Sequence, residues 1–322
     1  MIRNVSDALL TRRQVLMGGA AGFTAMMAPH GAVRGSTQPP ANASGTIRVG
    51  DLSVHRLGFG AMRLTGPGIW GEPRDAVEAR RVLRRALELG VNFIDTADAY
   101  GPDVDERLIA EALHPYPRGL VIATKGGSVR PGPNEWAADG RPEHLRAACE
   151  GSLRRLKLAR IDLYQLHRID QKVPLEDSVG ELVRLQTEGK IRHIGVSNFR
   201  VEALERARRV ARIVSVQNPY NLADRSGEDV LALCEREGMA FIPYAPIARG
   251  SSATLEGGAA GKELEALAAA HQVSVLQMAL AWLLARSPAM LPIPGTSSVA
   301  HLEENVAAAG IRLTAAELAR LA

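Results

Sequence analysis

Short apolar runs alternate with longer amphipathic stretches from residue 56 to residue 308 of this chain. In the longer stretches, apolar residues recur three and four positions apart, as at Leu145, Ala148, Cys149 and Leu153, which is the spacing of one helix face. The short runs have the length and aliphatic content of buried strands. The pattern therefore predicts eight units of strand and helix. The predicted strands are 56–60, 92–95, 120–124, 161–166, 191–195, 213–216, 239–242 and 290–293. The predicted helices are 75–89, 104–113, 142–157, 175–188, 200–210, 226–237, 262–286 with a break near Gln272, and 299–308.

Turn and cap residues support these bounds. Asp103 followed by Glu106 has the spacing of a capping box at the start of helix 104–113. Three glycines stand where predicted helices end, a position that favours a residue able to adopt positive φ. They are Gly90, Gly189 and Gly238.

Eight consecutive strand–helix units predict an α/β fold, specifically a (β/α)8 TIM barrel. Residues 46–49 and 52–55 flank a Gly-Asp turn, which predicts an N-terminal β-hairpin closing the barrel bottom. A doubly wound sheet is the alternative fold. Its dinucleotide fingerprint needs GxGxxG at the start of a helix, but Gly58-Phe59-Gly60 is followed by Arg63 at the third glycine position.

Composition and charge agree with a globular body rather than a nucleic-acid surface. The chain has 322 residues, of which 46% are hydrophobic and only 4% aromatic, so aliphatic side chains must fill the core. The net charge is +4, and residues 1–35 alone carry +3 of it. Because the remainder is nearly neutral, we expect no nucleic-acid partner. Cys149 and Cys234 lie in predicted helices without close cysteine or histidine partners, so buried free thiols are expected.

The N-terminus has the anatomy of an export signal. Arg12-Arg13 precedes a short uncharged Gly/Ala/Met run that is too short to span a bilayer as a stable helix. Adjacent arginines in this setting resemble the twin-arginine signal of bacteria, through which folded, cofactor-loaded proteins leave the cytoplasm. We therefore expect a signal peptide at 1–35, a linker at 36–45 and the barrel at 46–322. The expected location is periplasmic or secreted, with the folded-protein export machinery as partner and no stable membrane insertion after processing. The alternative is a frayed amphipathic terminus in a cytoplasmic protein.

Polar side chains follow seven of the predicted strands at or just after their carboxyl ends. In a barrel these ends meet on one face, where active sites of this architecture lie. A merely solvated rim would favour Glu and Lys over Asn, Gln and Tyr, so the convergence indicates a site. The residues are Asp95 and Tyr100; Lys125; His167; Ser197 and Asn198; Gln217 and Asn218; Tyr244; and Gly295, Thr296 and Ser297.

Tyr, Lys, Asp and His together are suited to the reduction of a carbonyl group. A phenol with a pKa near ~10 is a weak acid, and a neighbouring ammonium makes Tyr100 a better proton donor. Asp95 would hold the Lys125 ammonium, and His167 would orient the substrate oxygen. No side chain can supply hydride, so the chemistry requires a nicotinamide.

The chain resembles the aldo-keto reductase family from about residue 46 onwards. The matching segments are GFGAMRL (58–64), DTADAYG (95–101), ATKGG (123–127), DLYQLHR (162–168), HIGVSNF (193–199), VQNPYN (216–221), PYAP (243–246) and IPGTSS…HLEEN (293–305). This resemblance implies NADP-dependent reduction of an aldehyde or ketone, with Tyr100 as the general acid assisted by Lys125 and Asp95, and with His167 orienting the carbonyl.

The resemblance also implies a set of cofactor contacts. Ser197, Asn198 and Gln217 would hold the nicotinamide carboxamide, and Tyr244, next to Ala245 and Pro246, would stack on the ring. Gly295, Thr296, Ser297 and His301 would face the adenosine phosphate, with Glu304 and Asn305 on the adenine. The loops around Trp70 and Asn134–Arg141, which include Trp136, would shape the substrate pocket.

Two features of the resemblance bear on the ligands. Many family members have Lys and Arg where this chain has Gly295 and His301, so NAD is an alternative to NADP unless Arg249 or Lys262 supplies the charge. Residues 60–75 and 293–308 are similar to a bacterial branch that includes pyridoxal reductase, which makes an aromatic aldehyde a candidate substrate.

No HxxxH or HExxH spacing occurs among the eight histidines, so no metal site is expected.

Two other function classes remain open from the sequence. The first is a cofactor-binding regulatory subunit without turnover. The second is a lyase or aldolase that forms a Schiff base on Lys125.

Overall fold

The predicted alternation of strands and helices is present in a computed structural model of the chain, which describes residues 40–247 and 258–321. The elements are named here in chain order. The strands are β1 Thr46–Val49, β2 Leu52–His55, β3 Phe59–Gly60, β4 Phe93–Asp95, β5 Val121–Gly126, β6 Ser128–Val129, β7 Ala137–Ala138, β8 Ile161–Leu166, β9 Ile191–Ser197, β10 Ile213–Pro219 and β11 Ala240–Tyr244. The helices are α1 Ala76–Glu88, α2 Val104–Leu113, α3 Pro142–Leu156, α4 Leu175–Thr187, α5 Val201–Val210, α6 Glu228–Glu237, α7 Gly258–His271, α8 Val275–Arg286, α9 Val299–Ala307 and α10 Ala315–Arg320.

Seven parallel strands form one curled sheet in the order β3-β4-β5-β8-β9-β10-β11. The order follows the chain, so each strand pairs with the next one after a helical crossover. Parallel strands joined in this way need their faces covered by helices, and the amphipathic helices supply that cover. This architecture is consistent with the predicted (β/α)8 barrel, and it places all seven carboxyl strand ends at one rim.

The predicted eighth strand, 290–293, is not a regular strand in the structure. It makes a single β-bridge, between Phe241 and Met290. Pro292 and Pro294 lack backbone N–H groups and so cannot donate ladder hydrogen bonds. The segment nevertheless contacts both edges of the sheet, since Leu291 N–H donates to the Phe241 carbonyl and Pro292 accepts from the N–H of Gly58.

Several strands run further than their apolar runs. Predicted ends at 124, 195, 216 and 242 become Gly126, Ser197, Pro219 and Tyr244. Backbone pairing does not depend on side-chain polarity, so the sheet continues through the polar residues. Rigid strands, rather than loops, therefore hold Lys125, Ser197 and Gln217.

The hairpin β1–β2 forms at the predicted residues, with Thr46 paired to His55 and Val49 to Leu52. Val49 and Val54 are fully buried, and they pack with residues of the sheet such as Phe93 and Val121. Both of those partners are the first residues of their strands. That the hairpin closes the barrel bottom stays a prediction.

The predicted capping box at α2 is wrong. Asp103 adopts a left-handed conformation with φ 66°, and its side chain makes no cap hydrogen bond. Glu106 points into the protein instead, where it accepts from Thr124 Oγ1 at 2.5 Å and from Arg155 Nε at 2.7 Å. A buried threonine and a guanidinium satisfy this carboxylate better than an exposed cap would.

The other local predictions agree with the structure. Gly90, Gly189 and Gly238 have positive φ at helix ends. The predicted break near Gln272 separates α7 from α8, which begins with a capping box between Ser274 and Gln277. Both cysteines are free and buried.

Within the described ranges, no single helix has the length and apolarity needed to cross a membrane; the bent pair α7–α8 meets that test by length and composition only.

Candidate active site

A buried lysine lies at the centre of the carboxyl rim. Lys125, on β5, is fully buried and donates to Asp95 Oδ1 at 2.6 Å and to the carbonyl of Thr96 at 2.9 Å. Its third donor reaches the hydroxyl of Tyr100 at 3.2 Å. An ammonium has three donors, so it is fully satisfied at this position. The structure thus brings together Asp95, Lys125 and Tyr100 as the sequence predicted.

The charge of this lysine is maintained by its neighbours. Burial, the largest single effect, would lower the pKa of Lys125, but Asp95 and Tyr100 outweigh it and raise that pKa. The ammonium therefore stays protonated at neutral pH. Asp95 is held in turn by two amides, because Gln165 and Gln217 both donate to its Oδ2, at 3.0 and 2.8 Å.

Gln165 is a site residue that sequence reasoning missed. It precedes His167 by two positions on β8, and alternate residues of a strand face the same side. This two-residue periodicity is the sequence signal that could have identified Gln165 as a site residue. Gln217 is predicted to hold the nicotinamide carboxamide, but in the structure its Nε2 donates a hydrogen bond to Asp95.

Tyr100 is a weaker acid than the sequence suggests. Burial raises the pKa of Tyr100 to about 12, and the lowering by Lys125 only partly offsets this. The phenol is therefore protonated throughout the physiological range. The hydroxyl therefore carries a proton that it could donate, and an adjacent ammonium stabilises a phenolate.

His167 completes the group of four predicted catalytic side chains. Its ring lies edge-on to Tyr100 with centroids 5.8 Å apart. Burial, with Lys125, Arg168 and Arg130 adding to it, holds the pKa of His167 well below its ordinary value, so the imidazole is neutral. Its Nδ1 is buried and has no hydrogen-bond partner among the described residues. Because a ligand cannot reach that buried atom, Nε2 is the ring nitrogen that could bond one.

A large cavity of about 1070 Å³ opens beside these four residues. Typical small-molecule sites measure about 300–1,000 Å³, so this one can accommodate a dinucleotide with a small substrate. Tyr100, Asp95 and His167 line it directly. Among the predicted cofactor residues, its wall contains Ser197, Asn198, Gln217, Tyr244, Ala245, Pro246, Gly295, Thr296 and Ser297.

One wall of the cavity is built around Asn198. This residue has φ 64°, and its amide donates to the His167 carbonyl at 3.0 Å and to Ser197 Oγ at 3.1 Å. Its Oδ1 accepts from the hydroxyl of Tyr244 at 2.8 Å. Asparagine adopts this left-handed conformation more readily than most residues, and three hydrogen bonds hold its side chain in place.

The opposite wall depends on a close backbone approach. A Cβ on Gly295 would overlap the carbonyl oxygen of Gly60, and a Cβ on Gly60 would lie 2.7 Å from the carbonyl oxygen of Ile293. Only glycine fits both positions.

Three predicted cofactor residues are not among those lining the cavity. His301 is exposed on α9. Glu304 accepts from Ser274 Oγ at 2.5 Å, and Asn305 is buried in the same helix. Their contact with an adenosine moiety stays a prediction.

The other end of the cavity is shaped by two loops joined by an arginine. Arg130 donates to the carbonyls of Gly68 and Ile69 on one loop and of Glu135 on the other, at 2.6–2.8 Å. Its guanidinium stacks on Trp136 at 3.9 Å from the ring centroid. Asn134 and Trp136 line the cavity as predicted. Trp70 is not among the lining residues, but Pro67, Gly68 and Ile69 of the same loop are.

An acidic group lies behind the lysine, and the sequence did not indicate it. Asp105, on α2, is fully buried and accepts from Thr96 Oγ1 at 2.8 Å. Its other oxygen has no hydrogen-bond partner among the described residues. Burial raises the pKa of Asp105 to about 7.

We expect Asp105→Asn to change the pH dependence of stability. The native protein holds the Asp105 proton more tightly than the unfolded chain does, so wild-type stability falls as pH rises from about 4 to 7. The variant removes this loss, which is roughly 4 kcal/mol at most. Urea unfolding at pH 4.5 and pH 8 measures it, with the variant gaining on wild type at the higher pH. Asp177→Asn, at an exposed position on α4, is the control, and an equal difference between Asp105→Asn and wild type at both pH values contradicts the prediction.

The sequence of the chain is similar to those of known oxidoreductases. The sequence model described as "Aldo/keto reductase family" matches residues 56–322. A chain from Schizosaccharomyces pombe described as an uncharacterized oxidoreductase is 51% identical over 286 residues, covering 89% of this chain and 92% of that one. Pyridoxine 4-dehydrogenase of Escherichia coli is 42% identical over 285 residues, covering 87% of this chain and 98% of its own length.

Solved structures agree with that family. Glycerol dehydrogenase from Gluconobacter oxydans superposes with a TM-score of 0.78 at 31% identity, covering 87% of this chain and 94% of that one. An aldo/keto reductase from Klebsiella pneumoniae, solved in complex with NADP and acetate, gives a TM-score of 0.71 at 30% identity, with coverage of 86% and 93%.

Proposed function

The chain belongs to the aldo/keto reductase family, and we propose that it is an NADP-dependent reductase of aldehydes or ketones with Tyr100 as the general acid. One observation carries the mechanism. The Tyr100 hydroxyl, on the wall of a large cavity, is 3.2 Å from a fully buried lysine whose charge Asp95 maintains. A regulatory subunit that only binds cofactor has no use for this arrangement.

The reaction adds a hydride to the carbonyl carbon and a proton to its oxygen. The nicotinamide supplies the hydride when the cofactor is bound. Nε2 of neutral His167 donates a hydrogen bond to the substrate oxygen and so orients the carbonyl. Tyr100 then transfers its proton to that oxygen, and the resulting phenolate is stabilised by the Lys125 ammonium. Asp95 holds the ammonium in place, and the two glutamines that bond Asp95 keep the carboxylate fixed.

The cavity residues fit a nicotinamide dinucleotide. The Ser197 hydroxyl and the second lone pair of Asn198 Oδ1, with the ring of Tyr244, form the wall next to the four catalytic residues. The absence of side chains at Gly60 and Gly295 leaves room on the wall that those two residues form. The wall there also carries two exposed arginines, Arg63 and Arg74. The side chain of Arg63 passes close to Gly295, since its Cγ would lie 3.6 Å from a Cβ at that residue. Arg63 therefore offers the positive charge that Gly295 and His301 do not.

We expect Arg63→Gln to weaken NADPH binding by about 10-fold, because a charge-assisted hydrogen bond to phosphate is lost. Fluorescence titration of the purified protein with NADPH and with NADH measures the dissociation constants. Loss confined to NADPH places the contact at the 2′-phosphate, whereas equal loss for both places it at the pyrophosphate. Unchanged constants for both nucleotides contradict the role of Arg63.

Two observations bear on the substrate. The cavity end next to His167 has an aromatic wall at Trp136, and pyridoxine 4-dehydrogenase is a relative at 42% identity. We therefore propose an aromatic aldehyde, with pyridoxal as the first compound to test.

The direct experiment is to identify the nucleotide retained on purification and then to follow NADPH oxidation with a panel of carbonyl compounds. Turnover supports the proposal. Tight NADPH retention without oxidation of any compound would favour a regulatory subunit. Borohydride trapping of a substrate adduct on Lys125 would favour a Schiff-base lyase.

Two further parts of the proposal concern architecture and location. We propose that segment 290–293, which bonds both edges of the sheet, completes a (β/α)8 barrel with β1–β2 at its bottom.

We also propose export by a twin-arginine signal within residues 1–35, which lie outside the described residues. Replacing both Arg12 and Arg13 by lysine should block export. Unchanged location and chain length in that variant would contradict the export proposal.

A further inference from the structure

Two arginines contact Trp136, and they are used in opposite ways. Arg130 stacks on the indole, with its Cζ 3.9 Å from the ring centroid, and its N–H groups donate to backbone carbonyls of the two surrounding loops. Arg168 lies over the same indole at 5.9 Å from the ring centroid. Its Nε is buried without a hydrogen-bond partner, and its guanidinium makes no ion pair within the described ranges.

The position of Arg168 places it at the substrate end of the cavity. It directly follows His167 at the end of β8, and it lines the cavity together with His167, Trp136 and Tyr100. The Trp136 ring lies 5.9 Å from the His167 ring and 6.3 Å from the Tyr100 ring. The Trp136 ring is therefore a shared neighbour of the Arg168 guanidinium and of the two residues that would contact the carbonyl.

No carboxylate that lines the cavity in residues 40–247 and 258–321 neutralises this charge. Within those ranges the acidic lining residues are Asp75 and Asp95. Asp75 caps α1 by accepting from the N–H groups of Val77 and Glu78, and Asp95 accepts from Lys125 and two glutamines. A half-buried guanidinium with a desolvated, unpaired N–H is costly unless a ligand supplies an acceptor.

We propose that Arg168 determines substrate specificity by binding an anionic oxygen group, a carboxylate or a phosphate, carried by the carbonyl compound that is reduced. The proposal rests on the proposed reductase function and adds the chemical class of its substrate. A planar guanidinium binds such groups through two parallel hydrogen bonds, which fix orientation as well as adding affinity. Trp136, which neighbours Arg168, His167 and Tyr100, lines the same part of the cavity.

The test uses pairs of substrates that differ in charge. Para-carboxybenzaldehyde is compared with its methyl ester for the carboxylate, and pyridoxal phosphate with pyridoxal for the phosphate. In wild type we expect kcat/KM to favour the anionic member of at least one pair by about 10- to 100-fold, the range of a charged hydrogen-bonded contact. Arg168→Gln should abolish that preference while leaving kcat/KM for the neutral member within about threefold. The pair that responds identifies the anion.

Two further variants separate recognition from folding. Arg168→Lys keeps the charge without the planar pair of donors, and it should retain part of the preference. Arg118→Gln removes an exposed arginine in a turn that does not line the cavity, and it should behave as wild type. Equal losses for both members of a pair in Arg168→Gln, or no wild-type preference in either pair, would overturn the assignment.

A binding measurement keeps this proposal separate from the reductase function. Calorimetry of the NADP-loaded protein with para-(hydroxymethyl)benzoate and with its methyl ester needs no turnover. Tighter binding of the anion by wild type but not by Arg168→Gln supports Arg168 even if no carbonyl compound is reduced. Equal binding of the two ligands by wild type, together with no preference for pyridoxal phosphate over pyridoxal, overturns it even if reduction of neutral aldehydes is fast.

Discussion

Tyr100→Phe should lower kcat by about 10²- to 10⁴-fold, the usual contribution of a positioned general acid. The change removes only the hydroxyl that Lys125 contacts at 3.2 Å. The ring remains packed edge-on against Trp136 and His167, so the fold and NADPH binding should survive. Steady-state kinetics and NADPH titration on the same preparation measure both quantities.

Tyr116→Phe is the matched control for this prediction. Its hydroxyl donates to the Leu156 carbonyl at 2.7 Å, away from the cavity. We expect a loss of about 1 kcal/mol in stability and unchanged turnover. Near-normal turnover by Tyr100→Phe would remove Tyr100 from the mechanism, whereas loss of NADPH binding in that variant would indicate a structural role.

Lys125→Met should affect both activity and stability. The substitution leaves Asp95 buried and without its cation, a change that typically costs about 3–5 kcal/mol. Turnover should also fall by at least about 10²-fold, because no ammonium remains to stabilise the Tyr100 phenolate. Urea unfolding and steady-state kinetics measure the two effects.

A double variant separates those effects. Asp95→Asn combined with Lys125→Met removes the buried, unpaired charge, so part of the lost stability should return while turnover stays low. Lys172→Met, at an exposed position, serves as the control. Full stability in the single variant would contradict the account of this ion pair, and recovered turnover in the double variant would contradict its role in catalysis.

The grouping of the four proposed catalytic side chains at one rim could be predicted from the sequence because their strands are strongly patterned. Asp95, Lys125 and His167 each end or follow an apolar run, and parallel strands bring such ends to one rim. Tyr100 comes with Asp95 through the short loop between them. Strand ends were less predictable, because pairing continues through polar residues such as Ser197 and Gln217 that hydropathy assigns to loops.

The rest depends on contacts that no local pattern encodes. Gln165 and Gln217 meet on Asp95 from strands far apart in the chain. Glu106 has capping-box spacing but pairs with Arg155, which lies 49 positions away. The burial that sets the Tyr100 pKa is a property of the whole cavity wall, so the sequence indicated the chemistry of the phenol but the wrong direction of its shift.

The proposed reaction is hydride transfer from the nicotinamide to a carbonyl carbon, with the proton delivered to the oxygen. The most direct measurement uses NADPH in which both hydrogens of the reactive ring carbon are replaced by deuterium, with pyridoxal or another aldehyde that the screen identifies. The alcohol is then analysed by mass spectrometry and proton NMR. We predict one deuterium on the former carbonyl carbon in ordinary water, and none on that carbon when unlabelled NADPH is used in heavy water. Deuterium drawn from the solvent, or an alcohol without label, would contradict the account.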